Sequence, residues 1–311
     1  MTIAISGATG AIGMALINKC ISEGDKVVVF VRPDSNRKSQ LPVSDKIRVL
    51  EYGIENFDDL VQGNISTDDI PKIDVFYHFA WKGTIGDGRN DMDLQNMNVK
   101  YTLDAVRLAN TLGAKLFIGA GSQAEYGRVE GMLTADTAVN PENGYGIAKL
   151  CAGQMSRILC EQLNMRHIWT RILSVYGPYD GELTMITSVI KKLLNGEKPA
   201  LTAGLQQWDY LHSYDAANAM FLLGKTDNIS GEAFVIGSGS ARPLKEYIEI
   251  MRDAINPSLE LGFGEIPYSD KQVMHLCADI DKLTRATGFR PSVSFEDGIR
   301  TTIEYIKDRI E

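Results

Sequence analysis

From residue 1 to about residue 173, short apolar runs alternate with longer stretches in which apolar residues recur every three or four positions. The runs at 2–6, 26–31, 47–50, 73–79, 114–119 and 167–173 read as buried strands. The longer stretches predict helices over 11–23, 93–111 and 144–163. On the second of these, Leu94, Met97, Tyr101, Ala105 and Leu108 share a face and are expected in the core. Strand–helix alternation of this kind implies βαβ units and a doubly wound parallel α/β sheet. After residue 178 the regularity weakens. Helices are expected at 183–195, 215–223, 243–254 and 295–309, with one strand at 233–236. No internal repeat or low-complexity tract interrupts the pattern.

The first strand–helix junction is Gly7-Ala-Thr-Gly10-Ala-Ile-Gly13. Glycine at the first position permits a tight turn. At the second it lets a pyrophosphate approach the backbone, and at the third it lets helix pack on strand. The helix N-terminus adds N–H donors and positive partial charge. The junction reads as a dinucleotide phosphate cradle.

Tyr145 and Lys149 are one helical turn apart, so both lie on one face of the 144–163 helix. A phenol ordinarily ionises near pH ~10. An ammonium beside it favours the phenolate and makes the pair a proton shuttle for a carbonyl or alcohol. Ser122, in Gly119-Ala-Gly-Ser-Gln-Ala-Glu-Tyr-Gly127, is expected just past the carboxyl end of a strand. Open α/β sheets bind ligands there, and a hydroxyl so placed can orient a substrate oxygen.

Composition adds mostly exclusions. The 311 residues are 44% apolar and 23% charged, with a net charge of −8. That balance argues against a nucleic-acid surface. There is no apolar span long enough for a bilayer and no charged-then-apolar leader, so a cytoplasmic protein without membrane partners is expected. Cys20, Cys151, Cys160 and Cys277 lack metal spacing, as do His78, His167, His212 and His275. No metal is predicted. Cys20, Cys151 and Cys160 fall in helical patterns and are expected as reduced, buried thiols.

With the glycine loop, Ser122 and the Tyr145/Lys149 pair in order, the chain resembles the extended short-chain dehydrogenase/reductase family. This is the group of NAD-dependent epimerases, dehydratases and reductases of sugar nucleotides. The resemblance runs through His78-Phe-Ala80, Asn98-Val99 opening a helix, Arg171-Ile-Leu-Ser-Val-Tyr-Gly-Pro178, Trp208-Asp-Tyr-Leu-His212 with Asp215, Ala278-Asp-Ile280 and Gly288-Phe-Arg-Pro291. It implies a Rossmann fold, with Ser122, Tyr145 and Lys149 as catalytic triad. It also implies dinucleotide contacts at Gly7, Thr9, Gly10, Ala11, Ile12, Gly13, Phe79, Ala80, Tyr145, Lys149 and Ile172. Residues 1–174 with about 207–236 would form the nucleotide domain. About 175–206 with 237–311 would form a substrate lobe. A homodimer pairing the helices at 93–111 and 144–163 is a further implication.

The second strand ends in Val31-Arg32-Pro33 rather than in the acid that holds the ribose hydroxyls of NAD. A guanidinium can bind a 2′-phosphate, so NADP(H) is expected through Arg32 and Arg37, with NAD(H) as the alternative. Asp34 complicates this if it turns inward, and Gly53 stands where relatives carry an adenine-binding acid.

Gln123-Ala124 stand where sugar dehydratases of the family carry an Asp-Glu pair. Ala124 and Tyr179 stand where epimerising reductases carry Cys and His. The resemblance therefore points to reduction of a nucleotide-linked 4-keto-6-deoxyhexose, in the manner of the bacterial reductases that form dTDP-fucose. CDP-sugar reductases are close behind. Trp81, Lys82, Gln123, Ser174, Trp208 and Arg242 are the expected substrate contacts. Ser174 and Trp208 replace an Asn and an Arg that usually touch the diphosphate, so Arg242, Lys271 or Lys192 is expected to supply the missing charge. Asp209 and His212 are expected to be structural. An epimerase and a non-catalytic dinucleotide sensor are the rival readings.

Overall fold

The structure, a computed structural model, describes residues 1–309. Its strands are β1 (Thr2–Ser6), β2 (Lys26–Phe30), β3 (Ile47–Leu50), β4 (Val75–His78), β5 (Leu116–Ser122), β6 (Arg166–Ile172) and β7 (Ser174–Tyr176). They continue as β8 (Ala200–Leu201), β9 (Gln207–Trp208), β10 (Tyr210–His212), β11 (Glu232–Ile236), β12 (Arg242–Pro243), β13 (Gly262–Phe263) and β14 (His275–Leu276). The helices are α1 (Ala11–Ser22), α2 (Phe57–Gln62), α3 (Met92–Thr111), α4 (Gly144–Gln162), α5 (Met185–Leu194), α6 (Ser213–Lys225), α7 (Leu244–Ile255), α8 (Asp281–Thr287) and α9 (Phe295–Lys307).

Seven strands form one parallel sheet in the order β11-β6-β5-β4-β1-β2-β3. Parallel strands buried on both faces need near-continuous apolar runs, which is the pattern these strands carry. Successive side chains go to opposite faces. Ile3 and Ile5 join Val27, Val29 and Phe234 under α1 and α6. Ala4 joins Val28, Phe76 and Phe117 under α2, α3 and α4. A third core, built from Ile190, Leu193, Tyr247, Met251, Phe295 and Ile299, unites α5, α7 and α9 into a separate lobe.

The boundary of this lobe differs from the expected one in two places. Leu283 of α8 and Phe289 join the sheet core rather than the lobe. β9 pairs with β12 and β14, so residues 207–208 belong to the small sheet beside the lobe. Both segments are short and carry no periodicity that would have revealed their partners. The same reason hid α2 and the two-residue strands.

The face of α3 also differs. Met97 is exposed, while Gln95, Asn98 and Thr102 are buried. These polar groups take the inner face because they have partners there. Asn98, in the second turn of α3 rather than at its opening, brackets Lys82 by accepting from its N–H (3.0 Å) and donating to its carbonyl (2.8 Å). Gln95 accepts from the Trp81 indole at 2.9 Å and donates to the Gly83 and Gly88 carbonyls. Satisfied polar groups can be buried at little cost. The loop after β4 is thereby pinned to the helix. All four cysteines are free, but Cys151 is exposed on α4, contrary to expectation.

His78 ends β4, with its Nδ1 2.8 Å from the Ser6 hydroxyl. His167 on β6 has its Nε2 2.9 Å from the Ser156 hydroxyl. Burial pushes both imidazoles down to about 3. As pH falls below about 6.5 the unfolded chain takes up these protons and the folded one does not. Stability should therefore be intact above about pH 6.5 and decline towards pH 3, by up to about 1.4 kcal/mol per pH unit for each histidine. Urea unfolding at stepped pH, comparing wild type with His167→Gln, measures this. A slope unchanged in the variant would remove His167 from the acid response.

Candidate active site

In the sheet, β1 is flanked by β2 on one side and β4 on the other, so the strand order reverses between β1 and β4. Ligands of open α/β sheets bind at such a switch point. The loops leaving β1 and β4 border a cleft of about 600 Å³. Gly7 has φ +73°, and a Cβ on it would stand 2.5 Å from the Ala80 nitrogen, so only glycine fits between the two loops. Gly13 abuts the Ala8 backbone, where a Cβ would come within 2.6 Å. Gly10 is the N-cap of α1, and no side chain caps that end. The N–H groups at the head of α1, at Ala11 and Ile12, thus retain their capacity for an anion. Thr9, Gly10, Phe79 and Ala80 line the cleft, and Ile172 ends β6 beside Ser122. Cradle, helix end and cleft fit a dinucleotide.

The charged residues lining the cleft are all basic. Arg32, Arg37 and Lys82 line it, and among the described residues no carboxylate does. Arg32 is 57% exposed, while Asp34 is 78% exposed and turns outward, 3.9 Å from Arg32. Arg37 donates to the Thr9 carbonyl (3.5 Å) and the Tyr179 carbonyl (3.1 Å), tying the glycine loop to the segment after β7. Gly53 lies on the cleft wall where an acid was looked for.

Ser122, Tyr145 and Lys149 come together at the carboxyl ends of β5 and β6. Ser122 is the last residue of β5 rather than the first beyond it. Its N–H donates to Glu125 at 2.9 Å, and its hydroxyl accepts from the Ala124 N–H at 3.1 Å. Glu125 is fully buried, held by the Arg171 guanidinium (2.9 Å) and the Trp169 indole (3.0 Å). Tyr145 stands in the first turn of α4, which Asn143 caps by accepting from Gly146 N–H at 2.8 Å. Burial raises the Tyr145 pKa; a hydrogen bond with Ser122 and the Arg89 guanidinium oppose that rise. Arg89 lies 4.4 Å from the centroid of the Tyr145 ring.

Lys149, one turn on from Tyr145, directs its ammonium towards a carbonyl and an indole as well as the phenol ring. Its ammonium is 5.8 Å from the Tyr145 ring centroid, donates to the Ala120 carbonyl at 2.6 Å, and sits 3.8 Å from the centroid of the Trp81 ring. Burial lowers its pKa to about 7. The Arg89 guanidinium over the ring also opposes the rise in the Tyr145 pKa, a neighbour that sequence reasoning missed. Arg89 stands in the aperiodic segment Gly86-Asp-Gly-Arg-Asn90, which carries no signal of proximity to residue 145.

The expected substrate residues divide. Trp81 meets the Tyr145 ring edge-on at 6.1 Å and lines the cleft. Lys82 lines it too, 3.1 Å from Glu55. Gln123 lines a neighbouring cavity with Arg89, Arg128 and Lys271. Trp208 donates its indole N–H to the Ser174 hydroxyl at 2.8 Å, so these two residues satisfy each other. Arg242 is paired with Glu296 at 2.7 Å, and Lys192 is exposed on α5. Asp209 accepts from the N–H groups of Ser238, Gly239 and Ala278, and Asp215 from those of Ser292 and Val293. His212 caps α6. Among the described residues no three His, Cys, Asp or Glu side chains are grouped to hold a metal, and no helix is long and apolar enough to cross a membrane.

Sheet order, glycine cradle and switch-point cleft define a Rossmann-type dinucleotide-binding protein. Residues 3–237 match the NAD dependent epimerase/dehydratase family, and the chain belongs to it. It is 28% identical to a UDP-glucose 4-epimerase of Mycoplasma genitalium, covering 96% of this chain and 94% of that protein. It is 25% identical to a dTDP-4-dehydro-6-deoxyglucose reductase of Escherichia coli, covering 98% and 97%. A solved structure of UDP-glucose 4-epimerase from Thermotoga maritima with UDP-glucose shares the fold over the whole of both chains, with a TM-score of 0.87 at 22% identity.

Proposed function

We propose that the protein is an NADPH-dependent reductase of the 4-keto group of a nucleotide-activated 4-keto-6-deoxyhexose, dTDP- or CDP-linked, serving deoxysugar and surface polysaccharide synthesis. The observation that carries this reading is the hydroxyl–phenol pair at the end of β5, with Lys149 as the one further titratable group engaged there among the described residues. Gln123 and Ala124 follow Ser122, and the nearby carboxylate, Glu125, is turned inward and fully engaged. Such a site can deliver one proton to one oxygen. Among the described residues it holds no carboxylate free to eliminate water or to invert a carbon next to the carbonyl.

The residues act as follows. Tyr145 holds the proton and gives it to the carbonyl oxygen as that becomes an alcohol. Ser122 donates a hydrogen bond to the same oxygen. Arg89 stabilises the phenolate left behind. Lys149, with a pKa near 7, exchanges protons readily at neutral pH. The loop Gly7–Gly13 with Phe79, Ala80 and Ile172 would hold a dinucleotide, which supplies hydride when bound. Arg32 and Arg37 would receive its 2′-phosphate. The basic lining of the cleft, with no carboxylate among the described residues, supports NADP(H) over NAD(H). The KM for NADPH should be roughly tenfold or more below that for NADH, and Arg32→Ala should remove most of the difference. A preference for NADH in the wild type would reject the assignment.

An NAD(P)-dependent epimerase is the second reading, supported by the near full-length match to the Mycoplasma epimerase. The two differ in stoichiometry. Supplying dTDP-, CDP-, GDP- and UDP-linked 4-keto-6-deoxy sugars should consume one NADPH per product identified by NMR. Interconversion of epimers without net cofactor use would favour the epimerase. The same reading pairs α3 and α4 of two copies, and the exposed Ile147, Met155 and Ile158 on α4 are in keeping with that.

A further inference from the structure

Residues 177–184 join β7 to α5, the first helix of the lobe core. Tyr179 in this segment has φ +67°. Among the described residues the only other non-glycine positions with positive φ are Asn164 and Asn228. A short amide side chain tolerates the left-handed region. A tyrosine there is strained and persists only where its surroundings hold it.

Two groups hold it. Its carbonyl accepts from the Arg37 guanidinium at 3.1 Å, and Arg37 lines the dinucleotide cleft. Its ring packs on Tyr305 of α9 with centroids 4.6 Å apart, and the Arg309 guanidinium covers the Tyr305 ring at 3.5 Å. The next residue, Asp180, accepts from the Gly181 N–H (2.7 Å) and from the hydroxyl of Thr184 (2.9 Å), the N-cap of α5. Both α5 and α9 contribute to the lobe core. One strained residue thus lies between the cleft and two helices of the lobe. Both hydrogen bonds of Arg37 to the described residues come from Nη1. Nε and Nη2 keep the paired donors that a phosphate takes bidentately.

We propose that Tyr179 is a positioning residue that couples the protein's two ligands: a dinucleotide with a 2′-phosphate fixes Arg37, Arg37 fixes residues 177–184, and the lobe then binds a nucleoside diphosphate more tightly. A segment that one ligand has already ordered costs the second ligand less to order. Linkage makes the effect reciprocal. A dinucleotide without the 2′-phosphate leaves Arg37 unclamped and does not produce it. This coupling rests on the NADP(H) and nucleotide-sugar readings and deepens them, by making the 2′-phosphate a signal for loading of the lobe.

The test compares complexes saturated with NADP⁺ and with NAD⁺, which differ in that phosphate alone. Amide hydrogen exchange across residues 177–184 should be about fivefold or more slower with NADP⁺, and Arg37→Ala should abolish the difference. Calorimetry then titrates dTDP, CDP, GDP and UDP into both complexes. At least one should bind about fivefold or more tightly in the presence of NADP⁺. Tyr179→Gly keeps the carbonyl that Arg37 meets but relieves the strain and removes the ring from α9. It should bind NADP⁺ as wild type does and lose the coupling, whereas Tyr179→Phe should retain it. Exchange that is equal in the two complexes, or a difference that survives Arg37→Ala, overturns the proposal. So does diphosphate affinity that is equal with both dinucleotides, or coupling that survives Tyr179→Gly. A wild type that binds none of the four diphosphates rejects the nucleotide-sugar reading instead, and exchange still decides whether the 2′-phosphate reaches Tyr179. Failure of NADP⁺ to bind overturns the cofactor reading and the coupling together.

Discussion

Tyr145→Phe is expected to lower turnover by about 10²–10⁴-fold, the range lost when a positioned acid/base group is removed. The substitution is close to isosteric. A phenylalanine ring can keep the edge contact with Trp81 and the stacking of Arg89, so the site should retain its shape. Dinucleotide binding, titrated separately, should change by no more than about twofold, because the cleft is lined by other residues. What disappears is the hydroxyl that bonds Ser122 and that burial keeps protonated at neutral pH. A protonated phenol is the form a reductase needs at the start of its cycle. Turnover near the wild-type level would take Tyr145 out of the chemistry and with it the proposed reaction.

Glu125→Ala is expected to destabilise the fold by about 3–5 kcal/mol, the cost of leaving a buried charge without its partner. Arg171 is 6% exposed, and its remaining contacts are to the Tyr126 hydroxyl and the Ala135 carbonyl, neither of which carries charge. The Trp169 indole and the Ser122 N–H would lose their acceptor as well. The effect should reach catalysis, because Ser122 is held at the strand end by that same carboxylate. A displacement of about 1 Å in a positioning group can cost roughly 10² in rate. Denaturant unfolding and steady-state kinetics on the one variant read both effects. A loss below about 1 kcal/mol would mean that the Arg171 guanidinium finds water when its partner is removed.

These two expectations come from different sources. The first was legible in the chain itself, and the second was not. Tyr145 and Lys149 share a helix face because four residues make one turn, and the glycine loop announces itself by lying between an apolar run and a periodic stretch. Periodicity is a local property, so α1, α3, α4 and six of the seven strands of the large sheet were placed by it to within a few residues. The seventh, β11, was visible as an apolar run, and the family resemblance rather than periodicity returned it to the nucleotide domain.

What the chain alone determined is therefore the fold class and the cradle, which backbone geometry dictates from neighbouring positions, and, through the family resemblance, the identity of the three grouped polar residues. The tertiary structure decided how those residues are charged and who their partners are. Lys149 faces an indole and a carbonyl as well as the phenol ring, and Arg89 from a separate loop joins it beside Tyr145. Trp208 meets Ser174 across 34 residues, and Arg242 meets Glu296 across 54. A side chain's electrostatic state depends on burial and on whichever groups the folded chain sets within a few ångströms of it, and neither quantity is a property of its neighbours in sequence.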